Sequence, residues 1–535
     1  MTGATPLLVA AAGSPLPDSL RVAGIVVLAG LATAAVLAES VRAQALATLA
    51  TLVLAPLLLV AEIWSTPQLE GLRSRPLLAL VAIAVAVAAL VVLGRLFARR
   101  PEAFAIAAVV ALPFRLPVES AGSTANLLVP LYVVIAAGAL GWLMPRLRAD
   151  EAYEPPVQRP SRWLEWLLIG SVVLYGIQTA YSDNVAKALE QVVFFYAPFA
   201  LLFARLRSLQ WTPRLLAVCF SALVGLALVF TAIGFVEYWT RHLLLNPKVI
   251  ASNQIEEYFR VNSLFFDPNI YGRFLVVVIL GLTAVLLWSA RPRLVVAAAA
   301  GIAVLAGGLL LTLSQSSFAA LLVGLAVLAL LRWRARWTLL AVGLAALTAA
   351  VLVLAAPDLV GVDISDSASL DDATSGRFDL VSGGVRLAAE QPLAGWGSGS
   401  FATEFRELED VSSARATAAS HTIPVTVAAE QGVIGLAVYL ALIAVALERL
   451  LRGARGDPPR AAIAAAFVAL VAHTWMYAAF LEDPMTWALL AVGTALAPVA
   501  VRRAPTPARP AARPARPLPE WDGRASARRR GTGAG

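Results

Sequence analysis

About fourteen or fifteen apolar runs of about 18 to 22 residues follow one another along this chain, with the charged residues gathered in short clusters between them. An α-helix needs about that length to cross a hydrocarbon core of about 30 Å. Backbone N–H and C=O groups in lipid must bond internally, so a spanning segment is either a helix or a strand of a closed barrel. The runs are rich in Ala, Leu and Val and lack the period-two alternation of barrel strands, which leaves helices. Only 14% of the residues are charged, against roughly 25% in soluble domains. The fold class is therefore all-α: a polytopic transmembrane helical bundle of about 12–15 spans, with a long external loop containing short amphipathic helices.

The runs begin near Val22, Ala45, Leu77, Ala103, Leu127, Trp163, Val192, Leu215, Ile270, Leu294, Phe318, Leu339, Val433, Ala461 and Thr486. The fourth, Ala103 to Leu112, is short and stops at Pro113, so it reads either as a half-crossing or as a re-entrant segment. The side of the membrane holding the N-terminus stays open, and no cleavable signal peptide is expected before Arg21. The organisation expected is N-terminal spans over residues 1–200, central spans over 201–356 with an external loop at 237–268, a long external loop at 357–431, C-terminal spans over 432–500, and a disordered basic cytoplasmic tail at 501–535.

The net charge is +8, but where the arginines lie argues against a nucleic-acid partner. Arg205, Arg207 and Arg214 form one cluster, Arg291 and Arg293 a second, Arg332, Arg334 and Arg336 a third, and Arg449, Arg452, Arg455 and Arg460 a fourth. They occupy alternate short loops, which places them all in the cytoplasm by the positive-inside rule. The loops between them, including the polar stretch from Pro357 to Ser420, are then external. A single cysteine, Cys219, excludes an intramolecular disulfide and a thiolate metal site. No metal-ligand spacing and no cofactor motif is found.

Within the long loop, Phe378, Val381, Val385 and Ala388 recur at helical spacing, which predicts an amphipathic helix from Arg377 to Glu390 ended by Pro392. The glycines of Gly395-Trp396-Gly397-Ser398-Gly399 serve to turn the chain sharply or let it approach a substrate, since no P-loop context surrounds them.

The three histidines are His242, His421 and His473. His242 follows interfacial aromatics, and His473 reads as a packed residue inside a span. His421 lies where the long loop meets the next span, in Ser420-His421-Thr422-Ile423-Pro424, with Ser420 available as a helix cap. There an imidazole is either a general base or an interfacial capping residue. Arg260, Arg377 and Arg386 lie on external loops. Guanidinium forks suit phosphate, so a histidine base beside them would fit transfer from a phosphate-activated donor.

Four stretches, in order, resemble the O-antigen ligase and O-antigen polymerase superfamily: RVNSLFFDPNIYGRFL, LTLSQSSFAALLVGL, SGRFDLVSGGVRLAAEQPLAGWGSGSF, and SHTIPVTVAAEQGVIGLAVYL with its His421-x8-Glu430-x-Gly432-x2-Gly435 spacing. They cover roughly Arg260 to Leu447. The resemblance implies a metal-independent glycosyltransferase that uses an undecaprenyl-diphosphate-linked glycan donor, a glycan or lipid-core acceptor, and membrane lipid as its surroundings. It implies His421, Arg377 and Arg260 as catalytic residues, with Arg386, Glu430, Asn269 and Arg241 as candidates for substrate contact. Thr422 replaces the family's usual Asn or Ser and keeps a hydroxyl, whereas Gln315 replaces an arginine and removes a cation. A repeat-unit polymerase of the same superfamily and a lipid-linked-sugar transporter or flippase are the alternatives. Nine residues at 100° each put His421 and Glu430 on opposite faces of an unbroken helix, so Glu430 is expected to anchor a loop or a neighbouring helix. Gly432 and Gly435 are expected to permit close helix packing.

Overall fold

The computed structural model describes residues 16–65, 69–120, 123–148, 162–244, 259–333, 377–409, 420 and 422–497, together with 249, 250, 253 and 343. Eleven of its helices are long and apolar enough to cross a membrane, and three shorter apolar helices, Pro101–Ala111, Pro458–Thr474 and Pro484–Leu496, accompany them. The run expected near Leu339 and the tail at 501–535 lie outside the described residues. The chain is a polytopic helical membrane protein. Among the described residues, the one departure from helix is a hairpin pairing of Leu116–Ser120 antiparallel with Ser123–Leu127. It follows the short fourth run, whose helix ends at Ala111 just before Pro113.

The helices pack as two groups, each with its own apolar core. One core joins Asp18–Leu37, Trp163–Gln178, Val185–Arg207, Ile423–Leu451 and Pro484–Leu496. The other joins Pro213–Thr240, Pro268–Trp288, Pro292–Thr312 and Gln315–Arg332. The segments Val185–Arg207 and Pro268–Trp288 are the most enclosed, at 78% and 67% buried, whereas Pro76–Arg99 is 6% buried and carries an apolar surface on all sides. A helix that is apolar all round and unburied by protein is one that lipid covers. Within Val185–Arg207 the backbone widens into a π turn at Val192–Tyr196, where the Ala197 N–H bonds to the Val192 carbonyl. Such turns are frequent at functional sites because they re-aim neighbouring side chains.

The helix ends fall into two sets. The starts of Val185–Arg207, Pro268–Trp288, Gln315–Arg332 and Ile423–Leu451 come together with the end of Pro458–Thr474. Arg205, Arg207, Arg291, Arg332, Arg449 and Arg460 from the four arginine clusters sit at the other ends of these helices.

Candidate active site

A helix runs over Arg377–Glu390, the stretch whose apolar spacing predicts one, and a second, Phe401–Glu409, follows it. Between them the glycine-rich stretch turns three times through left-handed backbone, with φ of +70° at Gly395, +99° at Gly397 and +83° at Gly399. Only glycine takes such angles without steric cost.

This loop is bonded, main chain to main chain, to a break in the Ile423–Leu451 helix. Gly432 there has φ 65° and ψ −166°, which no helix allows. The break removes the helical partners of two carbonyls and one amide. The loop replaces all three: Trp396 N–H donates to the Ala429 carbonyl at 3.0 Å, Gly397 N–H to the Glu430 carbonyl at 2.8 Å, and Val433 N–H to the Pro392 carbonyl at 2.8 Å. The expectation that Gly432 serves helix–helix packing is therefore corrected. A Cβ at 432 would lie 2.2 Å from the Leu393 carbonyl oxygen, so the glycine admits loop backbone. Gly435 likewise faces the Gln431 side chain of its own helix.

Glu430 anchors the same loop through its side chain. It is buried, and its two carboxylate oxygens accept the N–H groups of Gly399 at 2.9 Å and Phe401 at 3.2 Å. The break comes after Glu430, so the helix is continuous from Ile423 to Gln431. On the far side of the loop, Gln178 Nε2 donates to the carbonyls of Ala394 and Gln431, each at 3.2 Å, and Ser182 Oγ donates to that of Ser398 at 2.9 Å. Glu430→Ala strips the loop of two buried acceptors. Leaving a buried N–H unpaired costs about 1–3 kcal/mol, so thermal unfolding in detergent should show a loss of about 2–4 kcal/mol, with Glu430→Gln milder because one oxygen remains.

Below the loop lies a cavity of about 130 Å³, lined mainly by the first helix group with Ile270 from the second. Its polar lining includes Arg115, Lys187, Glu430 and Glu482 with Tyr175, Tyr196 and Tyr439. Apolar side chains including Ile270, Phe195, Val427 and Leu442 form the rest. The π turn directs Phe195 and Tyr196 into it. Lys187 pairs with Glu190 at 2.9 Å. Tyr196 donates to Glu482 at 3.3 Å, and burial raises the Glu482 carboxyl above the usual carboxylate range, against the pull of Lys187.

Beside the cavity runs a second polar assembly. Asn269 Oδ1 accepts from Ser314 Oγ at 2.7 Å, Ser314 meets Ser317 at 2.8 Å, and Ser316 and Ser317 lie 3.2 and 3.3 Å from His473 Nε2. His473 is thus a fully buried histidine tied to hydroxyls, in keeping with the packed reading. Arg273 meets Asp483 at 2.9 Å.

The residues singled out in the sequence are distributed as follows. Glu430 lines the cavity. Arg260 lies beside the serine assembly, with Nε on the Thr312 carbonyl at 3.0 Å and Nη2 at 3.4 Å from Asn269 Oδ1, so it ties the end of one helix to the start of another. Arg241 is exposed, its guanidinium 4.4 Å from the Tyr238 ring and 5.2 Å from that of Phe259. Arg386 is exposed on the Arg377–Glu390 helix. Arg377 is the first residue of that helix, and its side chain lies outside the description, as does His421 altogether. Ser420 does not cap the following helix: Thr422 holds the cap position, and Ser420 bonds into the first turn through Thr426 Oγ1 at 3.0 Å. Pro424 falls in that first turn, where its missing N–H costs nothing.

Arg115, Lys187, Glu482 and the tyrosines escaped the sequence reading. Lys187 did carry a signal, being one of only two lysines in the chain and standing within an apolar run.

The bundle thus holds a cavity that is cationic and acidic in part and apolar elsewhere. Residues 300–440 match the family model of the O-antigen ligases, which supports membership of the O-antigen ligase superfamily. That stretch holds Ser314 to Ser317, Arg377, the glycine loop, His421 and Glu430, while Arg115, Lys187, Arg260 and Asn269 precede it. No curated protein and no solved structure matches the chain.

Proposed function

We propose that the protein transfers a glycan from an undecaprenyl-diphosphate-linked donor to an acceptor hydroxyl at the outer face of the cytoplasmic membrane, as an O-antigen ligase-like enzyme. The observation that carries this reading is the cavity itself: charged groups and apolar walls share one cavity beneath the loop, which lies within the stretch that matches the family. A polyprenyl chain suits the apolar seam between helix groups, and a charged head suits the polar end. The described arginines of the four clusters lie at the opposite helix ends, which supports a cavity on the non-cytoplasmic side.

In this mechanism His421 accepts the proton of the acceptor hydroxyl as its oxygen attacks the anomeric carbon. The bond from that carbon to the diphosphate oxygen breaks with inversion, and the diphosphate leaves on its lipid, stabilised by guanidinium groups. Arg377 and Arg260 are the arginines the motif assigns, with Arg386, Glu430, Asn269 and Arg241 as further contacts. Reconstituted protein given lipid-linked glycan and acceptor should release undecaprenyl diphosphate in step with glycan transfer. Movement of intact donor across the vesicle without that release would overturn the enzyme in favour of a transporter.

The loop that covers the cavity should also respond to pH. Glu404, on the Phe401–Glu409 helix, is 5% exposed. Burial, with the Asp183 carboxylate beside it, pushes its carboxyl up to about 7. A folded-state value above the unfolded one favours the protonated, docked form: its stabilisation is complete below about pH 4.5 and is lost as pH rises through about 7. Hydrogen exchange over residues 401–409 should therefore quicken between those values, and Glu404→Gln should flatten the dependence.

A further inference from the structure

We propose that Arg115 is the cation that receives the diphosphate of the lipid-linked substrate inside the cavity, an inference that rests on the function proposed above. Arg115 lies in Pro113-Phe114-Arg115-Leu116-Pro117, between the short Pro101–Ala111 helix and the hairpin. This segment is firmly held. The Phe114 N–H bonds to the Ala111 carbonyl at 3.2 Å, and the Phe114 ring packs edge-on against Phe230 at 5.8 Å. The guanidinium lines the cavity, yet it makes no hydrogen bond and no ion pair with any described residue.

The cavity's charges separate into two groups. Lys187 pairs with Glu190, Glu430 takes two loop amides, and Glu482 takes the Tyr196 hydroxyl. Arg115 belongs with Asp483 and Arg273. Asp483 is already bonded to Arg273 at 2.9 Å, so Arg115 is left without an ion-pair partner of its own among the described residues. Burial lowers the Arg115 pKa, with Asp483 opposing. An anionic head would restore what burial removes, and a planar fork of donors fits phosphate oxygens. The apolar lining nearby, Ile270 and Ala478 among it, favours a head that carries a lipid over a free anion.

The test uses the full chain in nanodiscs, with equilibrium binding of undecaprenyl diphosphate, of neutral undecaprenol and of inorganic diphosphate. Arg115→Gln should weaken undecaprenyl diphosphate about tenfold or more, the scale of one charged hydrogen bond, and leave undecaprenol unchanged. Arg115→Lys should recover part of the loss, and Arg214→Gln, at the opposite helix ends, should bind as wild type. Wild-type affinity in Arg115→Gln would overturn the Arg115 assignment and leave the proposed function standing. A wild-type protein that binds undecaprenol and undecaprenyl diphosphate equally would overturn both. Inorganic diphosphate binding as tightly as the lipid form would make this a free-anion site and overturn the lipid-linked assignment. Parallel loss of undecaprenol in Arg115→Gln would make Arg115 a structural residue and overturn it too.

Discussion

Replacing His421 with Ala is expected to abolish glycan transfer while leaving membrane insertion and thermal stability as in wild type. Removing a general base costs about 10²- to 10⁴-fold in rate, enough to take release of lipid diphosphate below detection. The selectivity of the effect follows from the neighbours. Ser420, Thr422 and Thr426 bond among themselves, and Ile423 begins the helix that carries Glu430. The scaffold on either side of residue 421 is thus held by hydroxyls and main chain. Full activity in His421→Ala would refute the base assignment, and loss of folded protein would mark the residue as structural.

The second large effect is on stability. Gly432→Ala puts a Cβ at a φ of 65° and ψ of −166°, a region essentially confined to glycine. That Cβ would also lie 2.2 Å from the Leu393 carbonyl oxygen and 2.4 Å from its carbon. Backbone cannot step aside as a flexible side chain can. Strain and clash together should cost about 3 kcal/mol or more and release the loop from the broken helix. Gly170→Ala is the matched control: nothing lies within 4 Å of its Cβ, and within a helix alanine is favoured over glycine by about 1 kcal/mol. Detergent unfolding should move in opposite directions for the two variants, and equal behaviour would sink the account of the break.

The spans could be read from the chain because lipid imposes a length and an apolar composition that few other environments demand. The helix at Arg377–Glu390 was legible for a related reason, its apolar residues recurring at helical spacing. The break at Gly432 was not. A glycine beside the apolar run that begins near Val433 reads as a packing notch until the Pro392–Gly397 backbone is seen filling the gap. Arg115 was invisible for another reason. Counting runs marks Pro113 only as the end of a short one, while the cavity it helps to line is assembled from segments more than 300 residues apart, such as Arg115 and Glu430. Glu430 was legible as an anchor, because its spacing from His421 already set it on a different face.

The latch between the glycine loop and the broken helix is built almost entirely of peptide groups, with Glu430 and Gln178 as its chief side-chain contributors. A frame of that kind is indifferent to most of what hangs from it. Side chains facing the cavity can therefore be exchanged without disturbing the main-chain register that holds the loop in place.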